Sequence, residues 1–550
     1  LGLAGEFLPF VFRGKKRNLT DKVFGVTPYG INLDLGADGF TWVYDVTDYK
    51  PLFHDTVEIS AGNQQELIDL KFMMIEGIPP RDPMDVISVW RGDYGHAAIA
   101  DDIALPAVDV PLDPSASQYM VRTRTTGHGM STVENCAEFC PKYHNMSING
   151  SMEFAWLNWT ECAANPVYPQ GGTWVYDRAG WCPGSFADTY DWEITDLVSP
   201  GDTVSVDYGM QMYPAGGGEG NYRITVQLFE YGAPNFINDA AISELISPSN
   251  ADYYNRQNPV CGMPEIEIKN TGSADLSSLT ISYGLEGSLD YTYNWSGNLK
   301  FLQKERVKLP PVNWDYLNDN SSRFQVSVSQ PNGVADEYPY NNSMLSEFDL
   351  TPVYFDDIIV VFRTNSAPQE NYWELTDASG NVVYSRSSFA ANTLHPDTAI
   401  LTTGCYTLSL YDTDDDGISW WANNDGSGWM RIRLLNGSYI YTFPADFGKL
   451  TSHSFVIDHV TSSDVYPEEG LVNVYPNPSE GIINVNLRLK KQQDVSVSIL
   501  DIYGRIIYSE QLDDVSYKHL KTDLSDQPDG VYFVKVTGET ISVTRKVVLK

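Results

Sequence analysis

Apolar and polar residues alternate along most of the chain, and they do so in short runs. NYRITVQLF at 221–229, EIEIKN at 265–270 and LTISYGL at 279–285 put apolar side chains at every second position. A period of two is the signature of a half-buried strand, because successive side chains leave opposite faces of the backbone. The turn EIEIKN-TG-SADLSSLTISYGL, the TPYG run at 27–30 and the GG, PG and NG pairs break these runs into short pieces. Long apolar patterns of period 3.6 are few, while aromatic, β-branched and turn residues are many, so the expected class is all-β.

At 550 residues the chain is too long for one core, and length alone suggests roughly three to five domains. Five segments emerge. Residues 1–110 hold short strands, one of them expected over 41–46. Residues 111–236 collect cysteine, tryptophan and glycine. Residues 240–348 look like an immunoglobulin-type sandwich. Residues 350–458 begin FDDIIVVFRT and contain the acidic loop YDTDDDG. A polar linker at 459–470 leads to a fifth segment, 471–550, whose strands are broken by Pro476, Asn477, Pro478, Gly481, Gly504 and Gly530. That punctuation predicts a small β-sandwich.

Composition adds three restrictions. Net charge is −36, with 72 acidic against 36 basic residues. Such an excess repels a phosphate backbone, so no nucleic-acid partner is expected. No stretch approaches the ~20 apolar residues that a membrane helix needs. LGLAGEFLPFVFRGKKRNL at the start lacks a small-residue cleavage site, so the chain is expected to be mature or to lack its true beginning.

The six cysteines are informative by position. Cys136, Cys140, Cys162 and Cys182 fall close together, without the paired C-x-x-C spacing of a zinc site. An oxidising compartment with Cys136–Cys140 and Cys162–Cys182 disulfides is the reading that follows. Cys261 and Cys405 stand alone, and two buried thiols or one interdomain bridge fit them equally.

In the fifth segment YPNP, DIYGR, DGVYFVKV and a basic C-terminus follow one another in order. This succession closely resembles the type A sorting domain of Bacteroidetes type IX secretion cargo. The resemblance implies export across the outer membrane. The implied partners are the translocon and its shuttle and attachment components, and the destination is the cell surface or the medium.

Residues 20–236 carry a second resemblance. VTPYG at 26–30, WVYDVTDYKPLF at 42–53, NCAEFC at 135–140, ANPVYP at 164–169 and YDRAGWCPG at 176–184 look like the tandem jelly rolls of the peptide-N-glycosidase F family. That family cleaves the amide between asparagine and the first N-acetylglucosamine of an N-glycan and needs no metal. By this resemblance Glu138 matches a functional glutamate, Arg178 an active-site arginine and Trp181 a neighbouring tryptophan. The chemistry agrees: amide hydrolysis needs a group to activate or orient water and stabilisation for the carbonyl oxygen. Glu138 lies inside the expected Cys136–Cys140 loop, and Arg178 precedes the Trp181-Cys182 pair. Trp181 and Trp174 offer flat faces to sugar rings, and His128 stands as a further substrate-binding candidate. The bland alternatives are an exposed loop glutamate, a turn-anchoring arginine and core tryptophans.

The chain also departs from the family. The family's principal catalytic aspartate sits in a cysteine-rich motif before the TPY element, whereas residues 1–26 contain no cysteine and only Asp21. VEISAGNQQELIDL at 57–70 lacks the Thr-Glu-Thr-Trp-like strand that carries a second glutamate. Either the N-terminal strands are missing or the amidase apparatus has been lost. The leading expectation is a module that acts on or binds N-glycans or glycoproteins. A non-catalytic adhesin or carbohydrate-binding protein is the alternative. A copper monooxygenase of the same fold ranks below both, because only His128-Gly129-Met130 and His144 could supply ligands and no His-x-His occurs.

The acidic loop reads D-x-D-x-D-G, with Asp412, Asp414 and Asp416 before Gly417 and Asn423 at the twelfth position, so it is not an EF-hand. A structural calcium ion and a solvated turn both fit it. The nearby Trp420, Trp421 and Trp429 fit either a sugar platform or a core.

Overall fold

The computed structural model describes residues 10–14, 21–22, 39–53, 57–61, 70–100, 103–129, 137–213, 220–258, 260–312, 323–349, 351–459, 471–475, 477–479 and 481–550. The turn at 26–30, Met130, Asn135, Cys136, Pro476 and nearly all of the 459–470 linker lie outside them. Within the described residues the regular structure is strand apart from short 3-10 turns and the five-residue helix His96–Ala100. The all-β expectation holds.

Two four-stranded antiparallel sheets build the cysteine-rich region. One runs in the order Val108–Pro111, Thr203–Met210, Lys142–Ile148, Ser151–Asn158. The other runs Arg81–Gly95, Asn221–Pro234, Gln118–His128, Tyr190–Glu193. Alternation aims Val204, Val206 and Tyr208 of the first sheet at Val121, Ile224 and Val226 of the second, and all six are fully buried. The sheets face each other across that core as a sandwich. The strand Arg81–Gly95 belongs here, paired along its length with Asn221–Pro234, so the expected boundary at 110 moves to before Arg81. Pairing over such a distance leaves no mark in the local pattern.

The expected strand over 41–46 is also corrected. Phe40 and Trp42 are buried and their neighbours exposed, so the alternation is real. Yet these residues make no ladder with described residues, and a 3-10 turn, Thr47–Leu52, follows. The segment lies extended on the outer face of the second sheet, with Phe40, Trp42 and Tyr49 packed on Met120, Phe229 and Tyr231. Arg122 closes the contact by pairing with both Asp48 and Asp191.

Three further units follow. Sheets ordered Ala240–Ser247, Glu265–Asn270, Lys304–Lys308 and Ser288–Leu299, Leu276–Leu285, Arg323–Ser329, Ser343–Glu347 enclose one core. Next, a five-stranded and a four-stranded sheet enclose another, with Gly404–Asp412 central in the former and Ile358–Arg363 in the latter. In the C-terminal unit the long strands Ile482–Asp501 and Ile506–Asp523 change register between Arg488 and Val495. One half of Ile482–Asp501 pairs with Leu471–Tyr475 and the other with Gly530–Gly538, and both halves share one core.

Cys261 and Cys405 form a disulfide, with Cα atoms 5.7 Å apart. Of the two readings left open, the bridge between the third and fourth units is the one realised.

Candidate functional site

Two backbone contacts that only glycine permits assemble the site. At Gly127, the penultimate residue of Gln118–His128, a Cβ would stand 1.7 Å from the Ala137 carbonyl oxygen. At Gly180, with φ +75°, it would stand 2.1 Å from the Thr125 carbonyl oxygen. The two close approaches press the loop carrying Glu138 and the loop carrying Arg178 onto the same strand end. Backbone bonds lock them: Ala179 N–H to the Glu138 carbonyl at 2.8 Å and Gly127 N–H to the Ala179 carbonyl at 2.9 Å.

Arg178 and Glu138 consequently meet. The guanidinium Nε donates to Glu138 Oε1 at 3.1 Å. Its Nη1 donates to the Tyr176 carbonyl at 2.6 Å, and Nη2 donates to the Thr173 carbonyl and hydroxyl. The side chain is 4% exposed against 19% for Glu138. Burial draws the guanidinium below its ordinary pKa, and the Glu138 charge opposes that shift. Glu138 Oε2 accepts the Gly129 N–H at 3.2 Å. A carboxylate has about four acceptor positions, so Glu138 keeps capacity for a further donor.

Aromatic rings frame the pair. The guanidinium carbon lies 5.0 Å from the ring centres of both Phe139 and Trp181. Trp181 donates its indole N–H to the Gly127 carbonyl at 2.8 Å, and the His128 ring lies 5.3 Å from it. Thus Glu138, Arg178, Trp181 and His128 share one place. The Cys162–Cys182 disulfide is present, with Cα atoms 5.3 Å apart. Cys140 is also disulfide-bonded, while its expected partner Cys136 lies outside the described residues.

Trp174 departs from its expected role. It is 1% exposed and donates its indole N–H to Asp446 of the fourth unit at 3.2 Å, within a cluster of Ala163, Val175 and Trp420. Its faces are packing surfaces between units, closed to a sugar. His144 is likewise core: it stacks on Trp156, bonds the Tyr208 hydroxyl, and burial pushes its pKa down to about 3.

Sequence reasoning passed over Phe139, Thr173 and Asp188. Phe139 was legible, being the aromatic inside the NCAEFC run. Asp188, whose burial raises its pKa, accepts the Thr160 hydroxyl at 2.7 Å. Nothing local marks it.

Residues 97–229 match the family model described as peptide-N-glycosidase F, C terminal. This stretch is a peptide-N-glycosidase F-like module. It covers under half of the chain. The amidase "Peptide-N(4)-(N-acetyl-beta-D-glucosaminyl)asparagine amidase F" of Elizabethkingia miricola is 26% identical over 223 residues, 37% of this chain. The chain spans 61% of that enzyme's length. Among solved structures, PNGase F, a glycosylasparaginase from Flavobacterium meningosepticum, aligns at 21% identity and TM-score 0.35 over 42% of this chain and 78% of that one. A structure of PNGF-II aligns at 16% identity and TM-score 0.29, over 40% and 46%. Residues 473–550 match a secretion system C-terminal sorting domain. The chain is therefore exported by type IX secretion, and it carries a peptide-N-glycosidase F-like module along that route.

The acidic loop belongs to the fourth unit, where its Asp415 feels the charges of Asp177 and Glu161 on the site-bearing loops. Asp412 Oδ1 accepts the backbone N–H groups of Asp414 and Asp416, both at 3.1 Å, and its Oδ2 accepts from Asn371 at 2.6 Å. Among the described residues no three His, Cys, Asp or Glu side chains already stand arranged to hold a metal ion. Two deeply buried oxygens nonetheless have no partner: Oδ1 of Asp416, 8% exposed, and Oδ1 of Asn371, 1% exposed. Crowding raises the carboxyl pKa values. Burial, then the Asp416 and Glu370 charges, push Asp412 up to about 7, and burial with Asp414, Asp425 and Asp416 pushes Glu370 up to about 7.

Proposed function

We propose that the exported chain recognises N-linked glycans or glycopeptides through its peptide-N-glycosidase F-like module, with Glu138 as the acceptor that meets a sugar hydroxyl or amide N–H. The observation that carries this reading is the asymmetry of the Glu138–Arg178 pair. Arg178 spends its donors on Glu138, Tyr176 and Thr173 inside the protein, which leaves it little to offer a substrate carbonyl. Glu138 is fixed by that pair yet remains partly exposed with acceptor positions free. A carboxylate so fixed suits recognition, because little freedom is lost on binding.

Hydrolysis of the glycan–asparagine bond is the second reading, favoured by the similarity to the Elizabethkingia amidase. One experiment separates them. The full chain is incubated with a denatured N-glycoprotein, and released glycan and retained glycopeptide are both measured. Recognition predicts binding without release, and Glu138→Gln weakens binding about tenfold, since a hydrogen bond to a charged group contributes about 1.5–3 kcal/mol. Release that Glu138→Gln abolishes would replace the reading with the amidase. No binding and no release would end both.

We propose further that the acidic loop of the fourth unit takes a structural calcium ion. Support comes from the unpartnered Asp416 and Asn371 oxygens beside carboxylates that raise one another's pKa. Hard oxygen ligands of this kind suit calcium, and the buried Oε2 of Glu370 adds another.

A further inference from the structure

Trp421 is 67% exposed, yet it is not loose. Its indole N–H reaches across from the fourth unit to the Gly172 carbonyl at 2.9 Å. A large aromatic face held open to water by its polar edge is an unusual expense for a fold, because that area stabilises nothing until something covers it. The face is also the end of a continuous band. Trp421 packs against Trp420 with ring centres 6.1 Å apart, and Trp420 meets Tyr176 at 5.3 Å. Tyr176, 46% exposed, meets Phe139 at 6.3 Å. Phe139 lies under the Arg178 guanidinium, which bonds the Tyr176 carbonyl and holds Glu138. Four rings from two units therefore lead from Glu138 outward.

We infer that Trp421 and Tyr176 form a sugar-stacking subsite for the outer residues of a glycan whose core sits at Glu138. The inference rests on the glycan reading above and deepens it. A pyranose presents one face made largely of C–H groups, which packs on a flat ring, and hydroxyls at its edge, which stay in water. Exposed, immobilised rings in a row suit that pattern. Trp420, 5% exposed and clustered with Trp174 and Val175, is the buried support that fixes the row. The subsite is thus built by the docking of the fourth unit on residues 161–176. Lys449 paired with Glu161 at 2.9 Å strengthens the same contact.

The test uses the full chain and three probes: a peptide bearing only an asparagine-linked chitobiose, the same peptide bearing a high-mannose glycan, and the bare peptide. Binding is measured by calorimetry for the wild type, Trp421→Ala, Trp421→Phe and Tyr176→Ala. The expected result is that Trp421→Ala weakens the high-mannose probe roughly five-fold, the scale of an aromatic contact, and leaves the chitobiose probe unchanged. Trp421→Phe, which keeps a flat face without the bond to Gly172, retains most of the affinity. Melting curves of the variants verify that they fold. Equal losses on both glycan probes, or none on either, would overturn the subsite while the Glu138 reading stands. Tight binding of the bare peptide lost in Trp421→Ala would reassign the face to the protein part of the ligand. A wild type that binds no glycan probe removes the reading beneath it, and the subsite with it.

Discussion

The Glu138 loop and the Asp412 loop both bury carboxylates near a tight turn, and the two solve the problem differently. At Glu138 one buried arginine neutralises the charge and ties down three neighbouring acceptors. At Asp412 the compensation comes from backbone N–H groups and an asparagine amide, with no cation among the groups bonded to it. The consequences differ accordingly. Where a cation is built in, the carboxylate is ready to act on something else. Where only neutral donors are present, neighbouring acids crowd and hold protons near neutral pH. The first loop is complete in itself, and the second is suited to an ion from outside.

The largest effect should come from cutting the disulfide that ties the fourth unit, which carries the Asp412 loop, to the third. Cys261 and Cys405 are 144 residues apart, and in the chain-entropy account a bridge closing a loop of that size contributes about 5 kcal/mol. Replacing both by alanine should lower the unfolding free energy of the fourth unit by that order, read as a lower chemical-denaturation midpoint, and loosen its contact with residues 161–176. An unchanged midpoint would show that the packed contacts alone suffice.

Arg178→Met comes next. It strands Glu138 and the Thr173 and Tyr176 carbonyls, and breaking a buried pair typically costs about 3–5 kcal/mol. Equilibrium unfolding should register a loss near the lower end, because Glu138 keeps partial access to water. Restoring most of the loss in the Arg178→Met, Glu138→Leu double variant would show that the stranded charge is the cause. Additive losses would refute it.

The smallest effect distinguishes the second loop. The folded pKa of Asp412 and of Glu370 is raised to about 7, above the unfolded values near 4. The folded state therefore binds protons more tightly, and stability falls as pH rises from about 4 to 7. With chelator present, hydrogen exchange in Gly404–Asp412, corrected for intrinsic rates, should be slower at pH 5 than at pH 8. Calcium at pH 8 should restore protection, and Asp412→Asn should flatten the pH dependence. Equal protection with calcium and with chelator would leave the loop a turn.

Much of this was legible in sequence, for physical reasons that vary by residue. Runs such as EIEIKN and NYRITVQLF became strands because alternation and burial are the same fact seen twice. Glu138 and Arg178 are marked in the sequence only by the family resemblance, and their meeting across 40 residues has no local signal. Alternation failed at 41–46, where it reported which side faces inward but not whether a neighbouring strand exists. Trp174 was misjudged because a flat aromatic looks the same in sequence whether sugar or another unit covers it. The partner of Cys261, the place of Arg81–Gly95 and the pinning of Trp421 depend on contacts across long stretches of chain.

One such contact has a consequence in time. Lys449 and Glu161, which clamp the fourth unit onto the site-bearing loops, stand 288 residues apart. During synthesis at about 5–20 residues per second, the earlier partner waits roughly 15–60 s for the later one to emerge. Throughout that interval the loop beside Arg178 lacks its cover, and the apolar faces of Trp174 and Val175 meet water. The sorting domain, made after both, can reach the export machinery only after residue 449 has left the ribosome. The order of residues along the chain thus makes the clamp available before the export signal is finished.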